Sequence, residues 1–303
     1  MALGRGSVGH HVLRPTVTEH SGLGRSTRHR FHGDSLARPG TVRPMRVVSW
    51  NVNSIRSRHQ RLAAMIERHD PDVVALQETK CTDAVFGEIT APLADLGYEI
   101  AHHGVNHWNG VALLSRAGLE DVSIGFPGPS RAPYDEARLI AATCGGIRVN
   151  SLYVPNGREL DDPHYLFKLV WLERLRTVVD PDVATILVGD FNVAPADLDI
   201  YDPKRFRRKT HASPPERAAI DALVDLGLVD VTRRHRPEPG VYTFWNYRPG
   251  MFESNRGLRI DLALCSVDVA DRVTSVRVDT DERAPGGGEE KPSDHAPLVI
   301  DLE

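Results

Sequence analysis

Ten short apolar runs, each five to eight residues long, recur between residues 46 and 302, and only three segments of helical period interrupt them. The runs fall near 46–50, 72–77, 98–102, 110–115, 138–143, 147–154, 184–189, 259–265, 273–279 and 297–302. Runs of this length rich in Val, Ile and Leu form strands, and those without strict alternation are buried on both faces. Helical patterns lie near 57–69, 162–179 and 215–226. In the second, Leu166, Leu169, Val170, Leu172 and Leu175 are expected along one face, and Asp162-Pro163 marks its start. Pro71 and Pro181 each sit in a turn between a helix and the next strand, and Gly/Pro-rich stretches at 125–133 and 284–292 read as loops. Many strands with few helices predict an α/β (α+β) fold in which two sheets pack face to face and helices lie outside.

Residues 1–44 have no such periodicity. They carry seven Arg against Glu19 and Asp34, a net charge of +5 that leaves −9 on residues 45–303, since the whole chain is at −4. This segment, rich in Arg, His, Ser, Thr and Gly, is expected to be a disordered N-terminal extension. An organelle-targeting peptide shares that composition. An over-extended start, with Met45 opening the first strand, is the simpler reading. Residues 45–303 form the expected catalytic domain. The three cysteines, Cys81, Cys144 and Cys265, are widely spaced without a CxxC pair, which argues against a disulfide or zinc scaffold and for a reducing compartment. No secretory or membrane-length apolar run is found, so a cytoplasmic, nucleoid-associated protein is expected. An acidic body can still bind nucleic acid where basic residues cluster, as at Lys204–Lys209, and acidic ones hold metal ions. Taken alone, that basic run reads as a solvated loop.

Polar residues repeatedly end the apolar runs: Asn51 after Val47–Trp50, Gln77-Glu78 after Val73–Leu76, Tyr153 after Val149–Leu152, Asp190-Phe191-Asn192 after Ile186–Gly189, and Asp261 after Ile260, while Asp294-His295 precedes the last run. Singly, each has an ordinary explanation as a turn former, a helix cap or a surface carboxylate. Six strand ends carrying hard oxygen donors, a candidate base and an imidazole together make a set suited to phosphodiester hydrolysis. An Asp–His pair also occurs in serine hydrolases, but no Gly-x-Ser-x-Gly elbow is present, so water is the expected nucleophile.

The segments Ser-Trp-Asn-Val-Asn-Ser-Ile-Arg (49–56), Leu-Gln-Glu-Thr-Lys (76–80), Tyr-Val-Pro-Asn-Gly (153–157), Gly-Asp-Phe-Asn-Val-Ala-Pro-x-Asp-Leu-Asp (189–199), Asn-Arg-Gly-Leu-Arg-Ile-Asp (255–261) and Ser-Asp-His-Ala-Pro (293–297) closely resemble the exonuclease III family. These are bacterial abasic-site endonucleases within the endonuclease/exonuclease/phosphatase superfamily. The likeness runs from about residue 45 to the C-terminus. It implies a four-layered α/β sandwich, two mixed β-sheets flanked by helices. It also implies a DNA repair nuclease that uses Mg²⁺, with Mn²⁺ able to substitute, to hydrolyse the phosphodiester 5′ to abasic sites. 3′–5′ exonuclease and 3′-phosphatase activity go with it, and the implied partner of this monomer is double-stranded DNA with abasic sites or 3′ ends.

The residue roles carry over by position. The resemblance implies Glu78 as principal metal ligand beside Asn51, with Asp190, Asn192, Asp294 and His295 completing the metal set. It implies Asp190 as the group that orients or deprotonates water, and Asn192 and Tyr153 as phosphate contacts, the phenol partly ionised. His295 acts at the phosphate, oriented by Asp261. Asn53 stands where some relatives carry Asp. A flipped abasic sugar needs an apolar wall, expected from Phe244 and Trp245 in the segment Tyr242–Arg248; Tyr242 is expected in the core. Arg56, Lys80, Arg158 and Arg259 are candidate DNA or site-supporting cations. Two other readings remain open: another phosphoesterase of the same fold, either a nonspecific DNase or a phosphoinositide phosphatase, and a non-catalytic DNA-binding protein.

Overall fold

The computed structural model describes residues 44–128, 136–284 and 290–303. The extension expected to be disordered lies outside these residues except for Pro44, as do 129–133 and 285–289 of the two expected loops. In chain order the elements open with β1 (Met45–Asn51), α1 (His59–His69), β2 (Val73–Gln77), α2 (Asp83–Ala94), β3 (Glu99–His103), β4 (Val111–Ser115) and β5 (Glu120–Ile124). There follow β6 (Leu139–Cys144), β7 (Ile147–Tyr153), α3 (Pro163–Val178), β8 (Thr185–Asp190), α4 (Pro203–Phe206) and α5 (Pro214–Val224). The chain closes with β9 (Val229–Asp230), α6 (Val231–His235), β10 (Asp261–Cys265), α7 (Val267–Ala270), β11 (Val273–Val278) and β12 (Leu298–Leu302).

The strands form two six-stranded sheets, ordered β11-β12-β1-β2-β4-β3 and β5-β6-β7-β8-β10-β9. Each is mixed: β1 runs parallel to β2 and β7 parallel to β8, and the other pairings are antiparallel. The period of two explains why the runs are apolar throughout. Val47, Val73, Ala75 and Leu113 meet Val149, Ile186, Val188 and Ala263 between the sheets. Their neighbours Val48, Trp50, Val74 and Leu76 pack outward on Leu62 and Met65 of α1 and Phe86 of α2. On the far side Leu152, Leu187 and Leu262 pack on Trp171, Leu172 and Leu175 of α3 and Ile220 of α5. The result is the expected four-layered sandwich. Each fully buried aliphatic side chain contributes roughly 1.5–3 kcal/mol.

The helix starts follow local chemistry. Asp162 accepts from His164 N–H at 2.7 Å with Pro163 in the first turn, and Ser213 and Glu216 form a reciprocal cap at the start of α5. The α3 face differs from the expected one. Leu166 and Val170 are exposed, and Tyr165, Lys168, Trp171, Leu172 and Leu175 are buried. The cause is Lys168, which is fully buried against Glu216 at 2.5 Å and turns a polar residue inward. The helix α2 and the edge strand β5 were absent from the sequence expectations. In α2, Gly87, Thr90 and Pro92 interrupt the helical pattern. All five residues of β5 are exposed, so burial imposes no pattern on them.

Candidate active site at the strand ends

Inward-facing positions turn polar at one end of the space between the sheets. Along β1 the inward series is Val47, Ser49, Asn51; along β2, Val73, Ala75, Gln77; along β8, Ile186, Val188, Asp190; along antiparallel β10, Cys265, Ala263, Asp261. Register aligns them: Asn51 pairs with Gln77, and Asp190 with both Asp261 and Tyr153. Gln77, missed as a functional residue, plugs the core beneath the site by donating to Ser49 Oγ and Ser151 Oγ at 3.2 and 3.0 Å. Gly189 permits the close approach of β7 and β8, because a Cβ there would lie 2.0 Å from the Leu152 carbonyl oxygen.

Simple alternation would aim Glu78 outward. Instead Glu78 has φ +52°, a left-handed conformation that costs a non-glycine residue energy and that recurs at functional sites. The turn brings its carboxylate back over the sheet end, where Asn51 Nδ2 donates to Glu78 Oε1 at 2.7 Å and to Asp190 Oδ2 at 2.9 Å. Lys80 Nζ lies 2.7 Å from Glu78 Oε2 and donates to Asn53 Oδ1. Burial works against the charge on Glu78, but Lys80 and Asn51 outweigh it and hold the carboxyl below its ordinary pKa. Asp190 is 1 % exposed. Burial pushes its pKa up to about 7; His295 opposes the rise, and Asp261 and Glu78 reinforce it.

His295 is fixed from three sides. Its Nδ1 meets Asp261 Oδ2 at 2.8 Å, its Nε2 lies 3.7 Å from Asp190 Oδ2, and its carbonyl accepts from Trp50 Nε1 at 3.1 Å. The loop that carries it is tied down where Ser293 Oγ donates to the Asn51 carbonyl at 2.7 Å. Burial disfavours the imidazolium, but Asp261 and Asp190 overcome it and raise the pKa to about 10. The ring is therefore charged at neutral pH.

Glu78, Asp190 and His295 each bring a ligand-type atom within 4.8 Å of the others. A protonated imidazole has no lone pair for a metal, so with the ring charged the two carboxylates are the cation-attracting pair, while a neutral ring would bring a His295 nitrogen into the same set. Asn51 presents its NH₂ to both carboxylates, and its oxygen accepts from Asn53 N–H at 3.0 Å. Asn192 is also turned away from ligation: Oδ1 accepts from Asn156 and Nδ2 donates to the Val154 carbonyl, both at 3.0 Å. Asp294 lies outside the trio, accepting from Asn53 Nδ2 at 2.9 Å. The partly ionised phenol expected at Tyr153 is not supported, because burial and the Glu78 carboxylate push its pKa well above the ordinary value.

Two of the expected DNA contacts are core residues. Arg259 is 1 % exposed and binds Asp199 at 2.6 Å and Asp230 at 2.7 Å, so it cannot reach DNA. Trp245 is buried, edge-on to Phe252 at 5.2 Å with Nε1 donating to Asn255 Oδ1. Phe244 is half-buried with its ring 4.9 Å from that of His295, and it alone of the two remains a pocket wall. Tyr242 is in the core, as expected. Arg56 and Arg158 are exposed, and Lys80 belongs to the site interior. All three cysteines are free and buried. Among the described residues no helix is long and apolar enough to cross a membrane.

Residues 48–295 match the Endonuclease/Exonuclease/phosphatase family. The chain is 35% identical over 279 residues to exodeoxyribonuclease III of Haemophilus influenzae, an alignment covering 86% of this chain and 100% of that protein. It superposes on a 3′ phosphatase from Neisseria bound to a product DNA hairpin with TM-score 0.80 and 38% identity, covering 86% of this chain and 99% of that one. An AP endonuclease from Archaeoglobus fulgidus gives TM-score 0.79 and 36% identity, with the same two coverages. A buried Asp–His pair against two facing carboxylates, set at the strand ends of this sandwich, agrees with those likenesses: the chain belongs to the exonuclease III family of DNA-repair phosphodiesterases, within the endonuclease/exonuclease/phosphatase family.

Proposed function

We propose that this chain hydrolyses the phosphodiester 5′ to abasic sites in duplex DNA, using Mg²⁺ or Mn²⁺, and also processes 3′ ends. We also place it in the cytoplasm at the nucleoid, acting as a monomer. The observation that carries the activity is the convergence of Glu78, Asp190 and His295 within 4.8 Å at the mouth of the sheet pair. The donor set fits a hard cation. Glu78 and Asp190 offer carboxylate oxygens, while a zinc site would call for Cys or neutral His. Glu78 would hold Mg²⁺, with Asp190 facing it and Asn51 able to offer its oxygen on an amide rotation; the ion would neutralise charge on the nonbridging and leaving oxygens.

The remaining roles belong to the chain. Asp190, with its carboxyl near pKa 7, takes the proton of the attacking water at neutral pH. His295, charged and held by Asp261, donates through Nε2 to a nonbridging phosphate oxygen, where negative charge grows in the transition state. Tyr153, a neutral phenol, and the second amide hydrogen of Asn192 donate to the same phosphate. Phe244 walls the space for a flipped sugar beside His295. The 3′ oxygen leaves and takes up a proton from solvent, giving a 3′-hydroxyl and a 5′-phosphate on the abasic residue. The test compares an abasic duplex, an intact duplex, a 3′-phosphate end and a phosphoinositide, each with Mg²⁺ and with EDTA. Metal-dependent incision of the abasic duplex is expected; preference for the phosphoinositide would remove this reading.

A further inference from the structure

Of the four tryptophans, three are buried: Trp50, Trp171 and Trp245. The fourth, Trp108, is 64 % exposed. An indole left in water by a chain that buries its other three calls for an explanation. The loop that presents it is held by backbone hydrogen bonds. Lys80 N–H donates to the Asn109 carbonyl at 2.8 Å, Thr79 N–H to the Gly110 carbonyl at 3.2 Å, and Gly110 N–H to the Ala137 carbonyl at 2.9 Å. Gly110 has φ +95°, and a Cβ there would lie 2.1 Å from Thr79 Oγ1, so the loop is seated directly on the segment that carries Glu78. The backbone N–H of Trp108 donates to Asn106 Oδ1 at 2.8 Å, and the ring leans on His107 at 4.9 Å.

Trp108 lines a groove of about 490 Å³ together with Val105, Arg138, Tyr153, Arg158 and His164. Tyr153 belongs to the catalytic cluster, so the groove continues from it. The groove carries two guanidinium groups, Arg138 and Arg158, against one lining carboxylate, Glu136. Arg158 is two-thirds exposed, and its ion pair to Asp162 is long at 3.7 Å; Arg138 stacks over the Tyr153 ring at 4.6 Å while paired to Glu136. A flat apolar plate beside an exposed guanidinium held only by a long ion pair complements a nucleotide, with its base on the ring and its phosphate on the cation. A base inside a duplex has both faces covered by its neighbours. An unpaired or frayed base can turn a face to an indole, whereas an end pair offers only its outer face, fixed in the direction of the helix axis.

We propose that the Trp108–Arg158 groove is a subsite that stacks an unpaired nucleobase flanking the scissile phosphate, so that Trp108 sets preference for frayed DNA ends over fully paired ones. This rests on the nuclease reading above. The loop geometry supports preorganisation, since the plate is positioned before DNA arrives.

The test uses the full chain in EDTA, so that nothing is cut, with two labelled duplexes: one fully paired and one with two mismatched pairs at the 3′ end. Anisotropy measures binding, and acrylamide quenching of intrinsic fluorescence measures exposure of the one accessible indole. At saturation the frayed duplex should shield Trp108 from acrylamide. Trp108→Ala should weaken the frayed complex about tenfold, within the range for loss of one stacked base. It should weaken the paired complex less than about twofold. Trp108→Phe, which keeps an aromatic plate, should recover most of the loss. An indole as quenchable on frayed DNA as in the free protein overturns the subsite, as does an equal loss on both duplexes. The nuclease reading fails separately, if wild type with Mg²⁺ leaves an abasic duplex uncut while the shielding persists. Absence of binding to either duplex overturns the subsite.

Discussion

Two clusters of buried charge are anchored two residues apart in the same motif, Asn-Arg-Gly-Leu-Arg-Ile-Asp (255–261), and they are built in opposite ways. Arg259 is saturated: Asp199 takes Nε and Nη2 at 2.6 and 3.1 Å, and Asp230 takes Nη1 at 2.7 Å. Two residues on, Asp261 supports His295, which faces Asp190 at 3.7 Å beside Glu78, so three carboxylates share one imidazolium and the Lys80 ammonium. Arg233 also pairs with Asp199, so two guanidinium groups meet two carboxylates and the first cluster closes its own electrostatics. The second keeps excess negative charge that an incoming cation and water can use. What separates a structural charge cluster from a reactive one here is the balance of partners, since burial is the same in both.

The largest effects should break the second cluster without harming the fold. Asp190→Asn should cut single-turnover cleavage of an abasic duplex by about 10²–10⁴, the usual contribution of a positioned base. It should leave the melting temperature equal or higher, because a buried like-charge conflict is relieved. A near-wild-type rate would remove Asp190 from the chemistry. The converse holds for the first cluster. Arg259→Met should cost about 3–5 kcal/mol of stability in chemical denaturation, as a buried guanidinium is removed from two carboxylates. If that variant unfolded at wild-type denaturant, the network would be idle.

The same contrast explains what could be read from the sequence. The layers were legible because two-sided burial writes itself as uninterrupted apolar runs, and the strand-end polar residues were legible because the runs stop at them. The role of Arg259 was not, since a cation in a motif carries no mark of whether Asp199 and Asp230 lie within reach of it. Trp245 and Phe244 are adjacent in sequence and point opposite ways, and only packing on Phe252 and His295 separates them. The buried face of α3 was misplaced because Lys168 looks solvent-directed until Glu216 is brought against it. The geometry at Glu78 depends on a left-handed backbone that a glutamate does not announce.

A smaller effect sharpens the account of the imidazolium. Turnover needs Asp190 deprotonated and His295 protonated. The kcat/KM profile should therefore rise with pH through about 7 and fall through about 10, the values their surroundings impose. Burial depresses the charge on His295, and Asp261 is the strongest group opposing it. Asp261→Asn should consequently move the alkaline limb to lower pH, with a rate loss on the order of tenfold to a hundredfold at pH 8. An unmoved alkaline limb would show that another group sets it.

The smallest effect separates buried from exposed arginines in their dealings with DNA. An exposed guanidinium that contacts a phosphate releases condensed counterions, and each such contact adds about 0.9 to the slope of log affinity against log salt. Arg158, two-thirds exposed and weakly paired, should contribute one such contact. Arg158→Ala should therefore lower the slope by about 0.9, with a modest affinity loss at low salt that vanishes at high salt. Arg259, whose donors are all directed at Asp199 and Asp230, has no counterions to release. Arg259→Lys should leave the slope unchanged in any fraction that remains folded. Equal slopes for Arg158→Ala and wild type would place Arg158 off the DNA path; a reduced slope for Arg259→Lys would mean that the buried network opens when DNA binds.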